Sequence, residues 1–277
     1  MTVELDFVED LVNQLRTELI AAGFNEAADR AIVSDDEIGI LYFNSLIRTI
    51  DAKPRKVLTS SMYAKTLPKA HEPKVKALLE KISRGDDLVP HQSRKLVMKK
   101  LLQHDGMLND WGIHHLHLEP KGTAELLMCH VADDSLYAVG FWPHESWAAD
   151  EIISAMIDSW PEVFERYHLV GVEAPPLTEE QRKNLRSKNG NALFRHPTRG
   201  SYAPIGGGLN SAGANIVATT TYDRLVADVE SIEECVRKEL STIARRETRR
   251  LILKFAGHAP VQIFDPNTGR TVPLAIT

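Results

Sequence analysis

The run Ile113–Leu118 reads Ile-His-His-Leu-His-Leu, and its alternation gathers imidazoles on one side. In an extended chain, successive side chains point to opposite faces. His115 and His117 then share a face with Ile113, while His114 joins Leu116 and Leu118. Those leucines mark the second face as core, so His115 and His117 are expected to project together from the opposite, open surface. His130 and His144 follow in the same stretch and reach the same region if the strands pair in register. An imidazole titrates near neutral pH, which suits general acid–base hydrolysis or RNA cleavage. Two histidines at i, i+2 also suit a metal pair, given a third ligand such as His130 or Asp110. The plainest reading leaves them as hydrogen-bonded polar residues on a solvated sheet face.

The surrounding segment Asn109–Trp147 holds five of the eleven histidines and three of the four tryptophans. Trp111 offers a face on which a base could stack, or a packing anchor at the strand entry. His91 and Arg94 open the preceding helix and offer positive charge where a phosphorane would need it. The loop Gly206-Gly207-Gly208 to Gly213 offers backbone amides to a phosphate, with Tyr202 before it. It lacks the spacing of a Walker loop or a dinucleotide fingerprint, so a hairpin or flexible loop is the simpler reading.

Positioning these residues requires helices first. Leu5, Val8, Leu11, Val12, Leu15, Leu19 and Ile20 recur at helical spacing, and Gly23 ends that helix. Helices follow at 26–34, 35–50 and 73–84, with Arg55–Thr59 as a short strand or connector. Ser93 caps a helix through Gln103, which Gly106 and Asn109 break. Strands then span Ile113–Glu119, Leu126–Ala132 and Leu136–Trp142, joined by turns at Pro120-Lys121-Gly122 and Asp133-Asp134-Ser135. A helix runs from Ser146 or Trp147 to Trp160, and Tyr167–Val172 is a short strand. Thr178 caps a helix from Glu179 to Ser187. Ile216–Thr221 reads as a strand, Tyr222–Phe255 as one or two helices, and Val261–Phe264 with Thr271–Ile276 as a hairpin around Pro266–Gly269.

The chain has 277 residues, a net charge of −5 and two cysteines, Cys129 and Cys235, without metal or redox spacing. It reads as an ordinary globular protein with reduced thiols. The start MTVELDFVED is too acidic for a secretory signal, and no apolar run is long enough for a bilayer, so a cytoplasmic location is expected. Residues 1–37 carry ten acids against Arg16 and Arg30, whereas Val236–Lys254 carries seven bases against Glu239 and Glu247. The two segments face each other, or both are solvated helix faces, or the basic one tracks phosphates. From Arg84 to His130, six bases meet six acids. A nuclease face there would have to borrow positive potential, most simply from Val236–Lys254.

Residues 93–160 run helix, three antiparallel strands, helix. The segment GIHHLHLEPKGTAELLMCHVADDSLYAVGFWPHESW resembles the layout of RelE/HigB-type toxins, and NDWGIHHLHL also resembles a segment of a bacterial protein family. The toxin resemblance implies a small endoribonuclease activity that uses basic, His and Tyr side chains without a metal. It nominates Arg94, His115, His117 and His144.

The chain is thus read as an α+β protein with a helical N-terminal part, a central antiparallel three-stranded sheet, and a C-terminal helix and hairpin. Residues 1–172 would form the catalytic part and 173–277 a smaller one. The expected function is that of a bacterial endonuclease acting on RNA by metal-free acid–base chemistry, of the kind found in toxins or phage-defence effectors. His115, His117 and His144 would move protons and Arg94 would stabilise the phosphate. Trp111, Arg245, Arg246, Arg249 and Arg250 would contact nucleic acid. No cofactor is expected, and RNA and a cognate inhibitor protein are the candidate partners. The alternatives are a metal-dependent hydrolase using the same histidines, and a non-catalytic regulatory protein binding an acidic partner or nucleic acid through a basic helix.

Overall fold

The computed structural model describes residues 3–93, 96, 101, 105–120 and 122–274. In chain order its strands are β1 (Glu4–Leu5), β2 (Lys56–Thr59), β3 (His114–His117), β4 (Glu125–Val131), β5 (Ser135–Pro143), β6 (His168–Leu169), β7 (Phe194–His196), β8 (Gly200–Tyr202), β9 (Arg250–Ala256), β10 (Ala259–Asp265) and β11 (Arg270–Pro273). The chain is a mixed α+β protein with several sheets, and it divides into two compact units. One is Met1–Phe43 with Ala218–Thr277, and the other is Asn44–Val217. The expected boundary near Val172–Thr178 falls inside the second unit. Among the described residues no helix is long and apolar enough to cross a membrane.

In the first unit the predicted N-terminal helix spans Phe7–Ala21, capped by Asp6, and buries Leu11, Val12, Leu15 and Leu19. Ile20, expected on that face, is 55% exposed. Arg16 is buried, and its guanidinium donates to the carbonyls of Ala28 and Val33 and to Asp35. The helix expected over 26–34 shrinks to Asn25–Ala28, while Asp35–Arg48 forms as expected. Gly39 is required where it stands, because a Cβ there would lie 2.0 Å from the Tyr222 ring. The strands order as β1-β9-β10-β11, with β10 and β11 forming the predicted hairpin.

Two expectations fail in this unit. Ile216–Thr221 is not a strand but the start of the helix Ile216–Lys238. Its β-branched residues favour a strand locally, but Ala218, Tyr222, Leu225 and Val229 recur at helical spacing and are buried. The basic segment Val236–Lys254 is not one helix. The long helix stops at Lys238, and Arg250–Lys254 lie in β9, where Leu251 and Leu253 alternate into the core.

In the second unit the three expected strands pair antiparallel, but β2 joins β5 in parallel, so the sheet has four strands ordered β2-β5-β4-β3. Helices cover both faces of its central strands. Leu126, Met128, Val139 and Trp142 pack with Ile152, Ile153, Met156 and Ile157 of the helix Asp150–Ser159. On the reverse face Leu116, Leu127, Cys129 and Phe141 pack with Val75, Leu78 and Ile82 of the helix Glu72–Arg84. Each such side chain is worth about 1.5–3 kcal/mol when fully buried, which favours a covered sheet over a solvated one. A bulge at Val139 shifts the β4–β5 register, with Met128 opposite Gly140 and Cys129 opposite Ala138. That shift lets Ala138 and Phe141 face one core while Val139 and Trp142 face the other. The Glu179–Ser187 helix has the expected Thr178 cap, completed as a capping box by Gln181. A third sheet, β6-β8-β7, packs Phe194 and Tyr202 against the first of these cores.

Candidate functional site

β3 lies at the edge of its sheet, and His115 and His117 on one of its faces line a cavity there. The antiparallel register then gathers residues distant in sequence. His117 stands opposite Leu126, which stands opposite Trp142 on β5. His144, two residues beyond Trp142, therefore arrives beside His117, with ring centroids 5.0 Å apart. His115 and His117 are 6.5 Å apart. The Trp147 ring contacts His115 at 4.8 Å and His144 at 5.5 Å. All three histidines and Trp147 line a cavity of about 800 Å³, completed by Arg48, Ser93, Asp105, Thr123, Lys183 and Arg186 among others. That volume is of the size that takes a small-molecule or nucleotide ligand.

The three imidazoles differ. The backbone N–H of Thr123 donates to Nδ1 of His117 at 3.1 Å, so the neutral ring carries its proton on Nε2. From behind, Lys81 donates to Nε2 of His91 at 3.0 Å, and His91 Nδ1–H donates to the His117 carbonyl at 2.9 Å. His91 thus braces β3 and offers the cavity no charge. His115 is nearly enclosed, and burial holds its pKa below the ordinary imidazole value. The Asp105 carboxylate opposes that shift, while His144 and Arg48 add to it. Nδ1 of His115 is buried without a hydrogen-bond partner and lies 4.0 Å from Asp105 Oδ2. His144 is exposed at the rim.

Among the described residues lining the cavity, Arg48, Lys183 and Arg186 bring positive charge, and Val236–Lys254 belongs to the other compact unit. Arg48 donates to the Leu101 carbonyl at 2.8 Å. Arg186 is held by Asp110, through Nη2 at 2.8 Å and Nε at 3.1 Å, and also donates to the Trp147 carbonyl. Lys183 is half-exposed, with Glu179 3.9 Å away.

Other nominated residues fall elsewhere. Arg94 and most of the Ser93–Gln103 helix lie outside the described residues. Trp111 does not offer a stacking face. It is 1% exposed in the short helix Gly106–Trp111, with Arg186 and Arg182 over its ring at 4.3 and 5.1 Å. Gly106 and Asn109, expected as breakers, are inside that helix, because the Asp105 side chain caps it. Gly112 ends it in the left-handed conformation, φ 65°. His130, a proposed third metal ligand, bonds the Gly112 carbonyl through Nδ1 at 2.8 Å and lines a second cavity with His114. Asp110, the other, is committed to Arg186. Among the described residues no group of three or more His, Cys, Asp or Glu side chains is placed to hold a metal ion.

The Gly206–Gly208 loop is a latch. Gly206 and Gly208 donate to the carbonyls of Asp110 and Asn109, and a Cβ on Gly206 would lie 1.9 Å from the Leu108 carbonyl oxygen. The Gly206 and Gly208 amides are therefore spent on the short helix, and the Gly207 amide donates to the Pro204 carbonyl. Of the proposed nucleic-acid contacts, Arg245, Arg246 and Arg249 are exposed in the first unit. Arg250 instead pairs with Asp10 at 3.1 Å and Glu4 at 3.3 Å, so there the acidic head and basic tail do face each other.

Sequence reading passed over Asp105, Trp147, Lys183, Arg186 and Arg48. A signal existed for two of them. Arg182, Lys183 and Arg186 repeat at helical spacing on a helix whose cap was legible, although nothing local tied that helix to the histidines. No protein-family model, no curated protein and no solved structure matches this chain.

Proposed function

We propose that the cavity cleaves RNA by metal-free acid–base chemistry. One observation carries the reading: His115, His117 and His144 converge on one cavity that also takes Arg48 and Lys183. His115, kept neutral by burial, removes the proton from a ribose 2′-hydroxyl. The 2′-oxygen attacks the adjacent phosphorus, and the bond to the 5′-oxygen breaks. His144, at the rim, acts as the general acid and gives a proton to that leaving oxygen. The products are a 2′,3′-cyclic phosphate and a free 5′-hydroxyl. His117 Nε2–H, Arg48 and Lys183 stabilise charge building on the non-bridging oxygens. A toxin or phage-defence role would follow from such an activity, and the layout resemblance of residues 93–160 points the same way.

The test is cleavage of a labelled single-stranded RNA beside DNA of the same sequence, with and without chelator. RNA cut to a cyclic phosphate, DNA left intact and indifference to chelator are the expected result. Loss of cleavage with chelator would favour a metal-dependent hydrolase on His115 and His117. No cleavage by the wild type, with His115→Ala and His144→Ala indistinguishable from it in growth and RNA integrity, would sink the reading.

A further inference from the structure

We propose that Asp105 is a positioning residue for His115, holding its ring with the proton on Nδ1 and leaving Nε2 to exchange a proton in the cavity. Two atoms of one carboxylate divide the work. Oδ1 accepts the Leu108 N–H at 3.1 Å and so ties the side chain to the start of the Gly106–Trp111 helix. Oδ2 lies 4.0 Å from His115 Nδ1. That nitrogen is buried and has no hydrogen-bond partner. Leaving a buried donor unmet costs roughly 1–3 kcal/mol, so an acceptor poised beside it is a structural economy only if the two can meet. The gap exceeds a hydrogen bond by about 1 Å, and hydrogen bonds of catalytic pairs are often long before ligand binds and tighten afterwards.

Among the described residues, the rings and cations facing His115 do not offer this. His117 on the same strand presents a ring whose Nδ1 is taken by Thr123. Trp147 presents a ring edge, and His144 and Arg48 bring like charge that opposes an imidazolium. Asp105 is the group among these that favours the protonated ring. A base that must accept a proton inside an enclosed site needs such a counter-charge. The inference rests on the cleavage reading for what the base does, but the proton's place on the ring can be read without any substrate.

Nitrogen-15 NMR of the His115 ring, assigned by its loss in His115→Gln, gives that readout. It is compared in wild type, Asp105→Asn and Asp105→Ser. Asn and Ser are both good N-cap residues, so the short helix keeps its cap and only the charge is removed. The expected result is an Nδ1–H tautomer in wild type. In both variants that preference weakens and the titration midpoint falls by about one pH unit. An unchanged tautomer and midpoint in a variant that keeps the wild-type melting temperature would overturn the proposal and leave Asp105 a helix cap only. If wild type shows the tautomer yet cleaves no RNA, the cleavage reading fails and the pair stands. If it cleaves, Asp105→Asn should lower kcat about tenfold with KM unchanged, and an equal loss in both would count against positioning.

Discussion

The backbone amide of Thr123 donates to Nδ1 of His117 at 3.1 Å, and that bond decides which proton the ring carries. A second proton on Nδ1 would face an N–H, so His117 is held neutral, as an Nε2–H donor. It is then a poor proton shuttle and a good ligand for a phosphoryl oxygen. His117→Gln keeps a side-chain donor and should lower cleavage about tenfold while both limbs of the pH–rate profile remain. His144→Gln removes the proposed general acid and should cost roughly 10²–10⁴-fold. Profiles of kcat/KM for the two variants make the comparison. A limb lost in His117→Gln instead would reassign proton transfer to that ring.

Folding stability should fall on mild acidification. Burial holds His91, His114, His115 and His130 below the ordinary imidazole value, His114 down to about 3. Groups depressed in the folded state bind protons more readily when unfolded. Their stabilisation is complete above about pH 6.5 and is lost as the pH falls toward the folded values. Each contributes up to about 1.4 kcal/mol per pH unit inside that window. Urea midpoints at pH 7.5 and 5.5 should show the decline, and His115→Gln should make it shallower. Constant stability across that range would contradict enclosed neutral histidines.

How much of this was legible depends on distance in sequence. The pairing of β3, β4 and β5 could be read from alternation and turn residues, and Thr178 announced its helix. The covered sheet was also written locally, since Leu126-Leu127-Met128-Cys129 is continuously apolar and continuous runs belong to strands buried on both faces. Reading the histidine face as open ignored that run. The bulge at Val139 left no pattern of its own, because either residue beside it suits a core. Lys183, Arg186 and Arg48 reach the histidines only through tertiary packing. Trp111 and Asp110 were misread because Asp105 starts a helix where Gly106 suggested a break.

Asp110 and Arg186 test the packing behind the cavity. Asp110 is 7% exposed, and burial pushes its carboxyl up while Arg186 and Arg182 pull it down. Arg186→Gln removes both of the hydrogen bonds that Asp110 accepts from Arg186 and leaves Arg182 at 3.9 Å. Stranding a buried carboxylate in this way should cost roughly 3–5 kcal/mol in urea unfolding. Asp110→Asn combined with Arg186→Gln should recover most of that loss, since no buried charge is then left unpaired. A double variant as unstable as the single would show that Arg186 acts through its contacts with Trp111 and the Trp147 carbonyl.

The basic cluster of the first unit separates into two kinds of arginine. Arg250 donates to Asp10, which is itself nearly buried and accepts the Leu253 amide. Arg250→Glu should destabilise the protein by roughly 1.5–3 kcal/mol for the lost charged hydrogen bond, with added repulsion from Glu4 and Glu9. Arg245 and Arg246 are exposed, so their reversal to Glu should leave the melting temperature within about 1 °C. If this surface contacts nucleic acid, the same double reversal should weaken binding and flatten its dependence on salt, because phosphates neutralised by arginine release counterions. Titration of a fluorescent single strand at two salt concentrations measures both effects. Equal affinity and equal salt slope in wild type and the double variant would remove Arg245 and Arg246 from any nucleic-acid interface and leave recognition to the cavity in the other unit.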